Sequence, residues 1–319
     1  MGMLEGKVAV ITGAGRGIGR GIAILMAQHG AKVVVNDPGV NPDGTGHDDG
    51  PADQVVAEIA DASGVAVANY DSVTTVQGGD NIIKTAMEKF GRLDVLVNNA
   101  GILRDRMIFN MAEQEWDEVM AVHLKGHFNT TKPASMIMRQ QRSGRIINFS
   151  SESGLWGNAG QANYGAAKSG IAGLTRVVAR DLGRYGVTCN AIAPRAWTRL
   201  TATIPQAPRG GANAPAQSQT SAIEQLDPDM IAPMVCYLAG DDAWNINGQV
   251  FLVYAGTVAV LHHPVPWRTI FKPGLWTLDE LSATVPQLLE GTRNPAPPPD
   301  ELEIPGRPPK VQTSETARA

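Results

Sequence analysis

Apolar residues in this chain come in short continuous runs rather than in strict alternation. Val8-Ala9-Val10-Ile11, Lys32-Val33-Val34-Val35, Val65-Ala66-Val67-Ala68 and Leu93-Asp94-Val95-Leu96-Val97 are four of them. Arg145-Ile146-Ile147-Asn148-Phe149, Val187-Thr188-Cys189-Asn190-Ala191-Ile192 and Phe251-Leu252-Val253 complete the set. Each reads as a strand buried on both faces, as a parallel sheet requires. Between them, apolar positions recur at helical spacing. Ile18, Ile22, Leu25 and Met26 mark one helix, and Val55, Val56 and Ile59 mark a second over residues 53–62. Further helices are predicted over about 75–90, 113–142 and 160–184, and Pro133 is expected to kink or break the segment that holds it, because it lacks a backbone donor.

Strands alternating with helices need crossover connections. The expected fold class is therefore α/β: a single doubly wound, parallel, seven-stranded sheet of Rossmann type with helices on both faces. Ligands of such a sheet bind outside the carboxyl ends of its strands. Two stretches interrupt the rhythm. Residues 201–221 are rich in Ala, Pro, Gly and Gln, and a loop over about 195–222 is expected to cover a substrate. Residues 294–319 carry seven prolines and are expected to form an extended or disordered tail after one domain over 1–293.

Composition narrows the function classes. The 27 Lys+Arg and 31 Asp+Glu give a net charge of -4, which argues against a nucleic-acid partner. No apolar run reaches the length of a membrane span, so no membrane partner is expected. Two cysteines, Cys189 and Cys236, suit neither a disulfide scaffold nor a zinc site. With no secretory pattern at the start and no Ser-Lys-Leu at the end, a cytoplasmic location is expected. The partner that remains is a small molecule.

The first strand runs into Thr12-Gly13-Ala14-Gly15-Arg16-Gly17-Ile18-Gly19 and then a helix. Glycines there let the backbone turn tightly against a pyrophosphate, which the helix N-terminus attracts. Gly13, Arg16, Gly17, Ile18 and Gly19 are thus candidate cofactor contacts. Asp37 ends the second strand, 24 residues after Gly13, where an acid bonds ribose hydroxyls and repels a 2′-phosphate. Asp37 therefore favours NAD, although Arg16 could pair with the 2′-phosphate of NADP.

Tyr164 and Lys168 lie four apart on a predicted helix, so they share one face. A neighbouring ammonium is expected to lower the phenol pKa and make Tyr164 an acid or base near neutrality. Ser151, at the carboxyl end of the fifth strand, precedes Tyr164 by 13 residues.

The Gly13, Gly17, Gly19 spacing differs from the Gly-x-Gly-x-x-Gly of most dinucleotide folds and resembles the short-chain dehydrogenase/reductase family. Asn98-Asn99-Ala100-Gly101 and the Ser151, Tyr164, Lys168 spacing resemble it too. The resemblance implies hydride transfer between a nicotinamide and a secondary alcohol or ketone, with Tyr164 moving the proton, Ser151 steadying the oxygen and Lys168 holding the nicotinamide ribose. It further implies that Asp71 and Ser72 lie at the adenine, that Asn98, Ala100 and Gly101 line the cofactor, and that Pro194 and Thr198 line the nicotinamide pocket. Many members carry Asn within Val-Asn-Leu-x-Gly, where this chain has Val122-His123-Leu124-Lys125-Gly126, so His123 is a further catalytic candidate. His123 and His127 lie four apart, but no third ligand is evident and no metal is expected. His262-His263 reads as a surface pair.

Gly101-Ile102-Leu103-Arg104-Asp105-Arg106, Gly160-Gln161-Ala162-Asn163-Tyr164 and the Gly-rich insertion after Asp37 resemble one branch over roughly residues 5–255. That branch holds the (3R)-3-hydroxyacyl-CoA dehydrogenase part of peroxisomal multifunctional enzyme type 2 and its bacterial 17β-hydroxysteroid dehydrogenase relatives. It implies NAD-dependent oxidation of a (3R)-3-hydroxyacyl-CoA by a stand-alone homodimer or homotetramer. A 17β-hydroxysteroid or other secondary-alcohol dehydrogenase and a 3-oxoacyl reductase are the alternatives. Arg195, where the wider family has Gly, could meet a CoA phosphate or a protein carboxylate.

Overall fold

The computed structural model describes residues 2–196, 226–292, 294–299, 301, 302 and 304–306. The chain divides into two units, Met1–His263 and Pro264–Ala319. In the first, β1 (Val8–Thr12), β2 (Lys32–Asn36), β3 (Val65–Asn69), β4 (Val95–Asn98), β5 (Gly144–Phe149), β6 (Val187–Pro194), β7 (Val250–Tyr254) and β8 (Thr257–Val260) form one sheet. Their order is β3-β2-β1-β4-β5-β6-β7-β8. The first seven pair in parallel, whereas β8 runs antiparallel to β7.

The sheet thus has eight strands, not seven. The extra strand folds back from β7 through Ala255-Gly256, with Ala255 in the left-handed region at φ +46°. Its four residues alternate between half-buried and exposed, which is the pattern of an edge strand and too short to register as alternation in sequence.

Helices cover both faces. They are α1 (Gly17–Gln28), α2 (Gly50–Asp61), α3 (Val76–Phe90), α4 (Glu113–Met120), α5 (Gly126–Gln141), α6 (Glu152–Trp156), α7 (Ala162–Leu182) and α8 (Ala232–Ala239). Alternate residues of one strand feed the two faces: Ala9 and Ile11 of β1 join the core with α1 and α8, while Val8 and Val10 join the core with α3 and α5. All five β1 residues are buried, which explains why the strand reads as a continuous apolar run. Pro133 does not end α5, which runs through it. The departure from α-helical geometry falls earlier, in a π turn over Ala121–Lys125 that joins α4 to α5. Such turns concentrate at functional sites.

The strand order reverses between β1 and β4, so the connections leaving them diverge and open a crevice at the carboxyl edge. In the second unit, α9 (Leu278–Leu289) starts on a capping box in which Thr277 and Glu280 each bond the other's backbone N–H. Sequence periodicity did not predict α9. Among the described residues, no helix is long and apolar enough to cross a membrane.

Candidate active site

The glycine loop after β1 is fixed from below by the connection after β4. Thr12 Oγ1 accepts the N–H groups of Asn99 at 3.0 Å and Ala100 at 3.1 Å. Asn99 Nδ2 donates to the carbonyls of Thr12 at 3.0 Å and Gly13 at 2.9 Å. Gly13 has φ +64°, and a Cβ on it would lie 2.8 Å from Ala100 Cα. A Cβ on Gly19 would lie 2.1 Å from the Gly13 carbonyl oxygen, so only glycine lets α1 approach the loop.

Helix α1 starts at Gly17 with no side-chain cap on its N-terminus and no acid in its first turn. Its leading N–H groups therefore suit a phosphate. Asp37 is buried, with Oδ2 accepting from Gly15 N at 2.8 Å and Oδ1 from Gly39 N at 2.7 Å. Arg16 turns toward Asp48 in the insertion, with Nη2 3.9 Å from its Oδ2. These residues fit a dinucleotide: donors at the helix start, a carboxylate at the end of β2, and no space for a side chain at Gly13 or Gly19.

The other candidates divide. Asp71 is oriented by Asn81 Nδ2 and Asn69 Nδ2, both at 2.9 Å, and Ser72 is exposed with its hydroxyl on Thr74. The Asn98 side chain points inward, donating to Thr131 and Asn148 and accepting from Thr130 at 2.6 Å. It is Asn99 that touches the glycine loop. A Cβ on Gly101 would lie 2.5 Å from His123 Cε1, so Gly101 is where the backbone passes over the imidazole. Ile18 packs partly buried against the core, and Pro194 ends β6 beside Val253 of β7. Thr198 and nearly all of the expected 195–222 loop lie outside the described residues. Arg195 bonds Glu152 and stacks 4.8 Å from the Tyr254 ring centroid, so a protein carboxylate takes it.

Ser151, Tyr164 and Lys168 converge at the carboxyl edge. Ser151 caps α6, and its Oγ accepts from Ser153 N at 3.2 Å. Tyr164 stands in the first turn of α7 and hydrogen-bonds Ser151. The turn is pinned by buried Asn163, which accepts from Tyr164 N at 2.7 Å and donates to the carbonyls of Arg104 at 3.0 Å and Glu115 at 2.9 Å. Lys168 Nζ lies 5.5 Å from the Tyr164 ring centroid and donates to the Phe149 carbonyl at 2.6 Å.

Electrostatics here differ from the sequence expectation. Burial pushes Tyr164 up to about 12; the Ser151 bond offsets this in part, and the Asp105 carboxylate adds to it. Burial also pulls Lys168 down to about 7. Desolvation opposes charge on both groups, and the ammonium does not overcome it at the phenol.

His123 sits in the π turn with its ring edge-on to Tyr164, centroids 5.0 Å apart. Its Nε2 lies 2.8 Å from the Ile102 carbonyl oxygen and 3.2 Å from the Ile102 N–H, and Nδ1 is buried without a partner. His127 Nδ1 donates to the His123 carbonyl at 2.7 Å, and Nε2 accepts from Phe149 N at 3.4 Å. Burial holds both rings neutral, with the Lys168 charge acting in the same direction; His127 falls to about 3. The backbone N–H and C=O of Phe149 thus link His127 to Lys168. Sequence spacing suggested His127 only as half of a metal pair. It also missed Asn99, Asp105, Ser153, Gln161 and Asn163, whose roles depend on contacts distant in sequence.

The chain matches the family described as short chain dehydrogenase over residues 7–207. A Mycobacterium tuberculosis protein named hydroxyacyl-CoA dehydrogenase ChsB1 is 42% identical over 297 residues, covering 90% of each chain. The mouse peroxisomal multifunctional enzyme type 2 is 43% identical over 257 residues, which is 81% of this chain and 33% of that protein. The crystal structure of a short chain dehydrogenase from Mycobacterium avium shares 43% identity at a TM-score of 0.79, covering 93% of this chain and 99% of that one. The chain spans 33% of the mouse relative and 28% of a Saccharomyces cerevisiae peroxisomal hydratase-dehydrogenase-epimerase that it also matches.

Proposed function

The chain belongs to the short-chain dehydrogenase family and is an oxidoreductase of hydroxyl and keto groups using a nicotinamide cofactor; from this premise we propose that it uses NAD to oxidise a (3R)-3-hydroxyacyl-CoA. The observation that carries the reading is the convergence of Ser151, Tyr164 and Lys168 at the carboxyl edge of the sheet, the edge that also carries the glycine loop after β1. A buried Asp37 supports NAD, because a 2′-phosphate would put a dianion against its carboxylate. The similarity to a protein named hydroxyacyl-CoA dehydrogenase supports the substrate class.

A bound nicotinamide supplies the hydride acceptor or donor. Tyr164 Oη removes the substrate hydroxyl proton as the carbinol hydrogen departs, and returns it in the reverse direction. Ser151 Oγ is held by the Ser153 N–H, and its own proton, which faces Tyr164 here, turns to the substrate oxygen when substrate binds. Lys168, anchored on the Phe149 carbonyl, holds the cofactor ribose. Gly13, Arg16, Gly17, Ile18 and Gly19 form the phosphate cradle. Asp71, Ser72 and the backbone of Asn98, Ala100 and Gly101 border the adenosine and ribose, and Pro194 borders the nicotinamide. His123 acts by position: its Nε2 holds the Ile102 backbone and so the strand-end loop over which the cofactor lies. The protein works as a homo-oligomer joined through α5 and α7.

A panel of (3R)- and (3S)-3-hydroxyacyl-CoAs and 17β-hydroxysteroids, each with NAD and NADP, tests the reading. The expected result is the highest kcat/KM for a (3R)-acyl-CoA with NAD. Turnover of hydroxysteroids alone, or of no alcohol in the panel, overturns it.

A further inference from the structure

We propose that Asp105 is a positioning residue of this site: it fixes Ser151 through Gln161 and Ser153, and its negative charge opposes a negative charge on Tyr164. The inference rests on reading Ser151 and Tyr164 as the reacting pair.

The strut begins at Asp105 Oδ2, which accepts from Gln161 Nε2 at 2.7 Å. Gln161 is buried, and its Oε1 accepts from Ser153 Oγ at 2.6 Å and Asn158 Nδ2 at 3.1 Å. A flipped amide would set Oε1 against the Asp105 carboxylate and Nε2 against the Asn158 amino group. Asp105 therefore selects the amide orientation that holds Ser153, and Ser153 N in turn donates to Ser151 Oγ. The surrounding backbone is stitched on both sides. Arg106 N donates to Gly160 O at 2.7 Å, and the Arg104 carbonyl accepts from Asn163. Gln161 O also accepts from Gly165 N at 2.7 Å, one residue past Tyr164.

Among the described residues, no cation pairs with this carboxylate. Asp105 Oδ1 is buried without a partner. The flanking cations pair elsewhere, Arg104 with Glu118 at 2.7 Å and Arg106 with Glu115 at 3.2 Å. Burial raises the Asp105 pKa and the Gln161 bond offsets this in part. Around Tyr164 stand Lys168 from α7, the neutral His123 ring from the π turn, Ser151 from the start of α6 and Asp105 from the segment after β4, while Glu115 and Glu118 of α4, which packs on α7, are paired with Arg106 and Arg104. Among the described residues, Asp105 is the carboxylate whose charge acts on Tyr164. A negative neighbour makes phenolate costlier and keeps the Tyr164 proton in place.

Two variants separate strut from charge. D105N keeps an acceptor for Gln161 and removes the charge, whereas D105A removes both. The pH dependence of kcat/KM is measured for oxidation of a (3R)-3-hydroxyacyl-CoA, with Y164F as the control for the reading beneath. D105N is expected to move the acid limb down by about one pH unit. D105A is expected to lose about tenfold or more in plateau kcat relative to D105N, with little change in KM. An acid limb in D105N that matches wild type overturns the charge role. Equal plateau kcat in the two variants overturns the strut. Difference absorbance titration of tyrosinate, each protein against its own Y164F counterpart, reads the shift without turnover. If no substrate is oxidised, the activity reading fails, while that titration still decides the charge role: a downward shift in D105N supports it and coincidence with wild type overturns it.

Discussion

Tyr164 is where burial and chemistry act in opposite directions. Its motif spacing was legible from Ser151 and Lys168, but its electrostatics were not, because desolvation depends on everything packed around the ring. The same holds for the two histidines. Buried and neutral, they take up protons only on unfolding, since His127 has been lowered from 6.5 to about 3. The unfolded chain binds those protons as pH falls below 6.5 and the folded chain does not, so their stability contribution is present above 6.5 and declines below it. Urea unfolding midpoints are expected to fall steadily from pH 6.5 to pH 5, above the range where most carboxylates titrate. A flat midpoint over that window contradicts the neutral, closed pair. The spacing of His123 and His127 showed that they share a helix face, but not that the Phe149 N–H and the Ile102 backbone hold them.

At the scale of elements, continuous apolar runs marked all seven parallel strands, because the central ones are buried on both faces and carry no alternation, and even the half-buried edge strand β3 keeps an apolar run. Where pairing rather than composition decides, the sequence was silent: β8 exists because it hydrogen-bonds β7, and α6 because Ser151 caps it. Pro133 does not break α5, and the interruption of α-helical geometry within this predicted segment falls at the π turn before it. The glycine loop was legible as a motif, and the structure adds the reason for Gly19, whose Cβ would meet the Gly13 carbonyl. Gly19→Ala must displace backbone rather than a flexible side chain. It is expected to cost about 1–3 kcal/mol of stability and to weaken NADH binding at least tenfold, read by thermal unfolding and fluorescence titration. Unchanged binding contradicts the role assigned to the loop.

At the scale of the molecule, the doubly wound sheet brings every proposed catalytic group to one edge, although they come from β5, α7 and the π turn. Opposite concerns govern the outer faces of α5 and α7. Phe128 is 49% exposed, Met136 55% and Val177 57%, an apolar set that suits a second copy of the chain. Light scattering is expected to give a mass of at least twice 33.8 kDa, and Met136→Glu with Val177→Glu to reduce it toward one chain. A wild-type monomer at micromolar concentration contradicts that assembly.

The central claim is that the Tyr164 hydroxyl carries the proton during hydride transfer. The most direct measurement is NADH formation from a (3R)-3-hydroxyacyl-CoA by wild type and Tyr164→Phe, with NAD binding checked in both. The account predicts retained NAD binding and a kcat lowered by about 10²–10⁴-fold in the variant. A phenylalanine variant that turns over at the wild-type rate would contradict it.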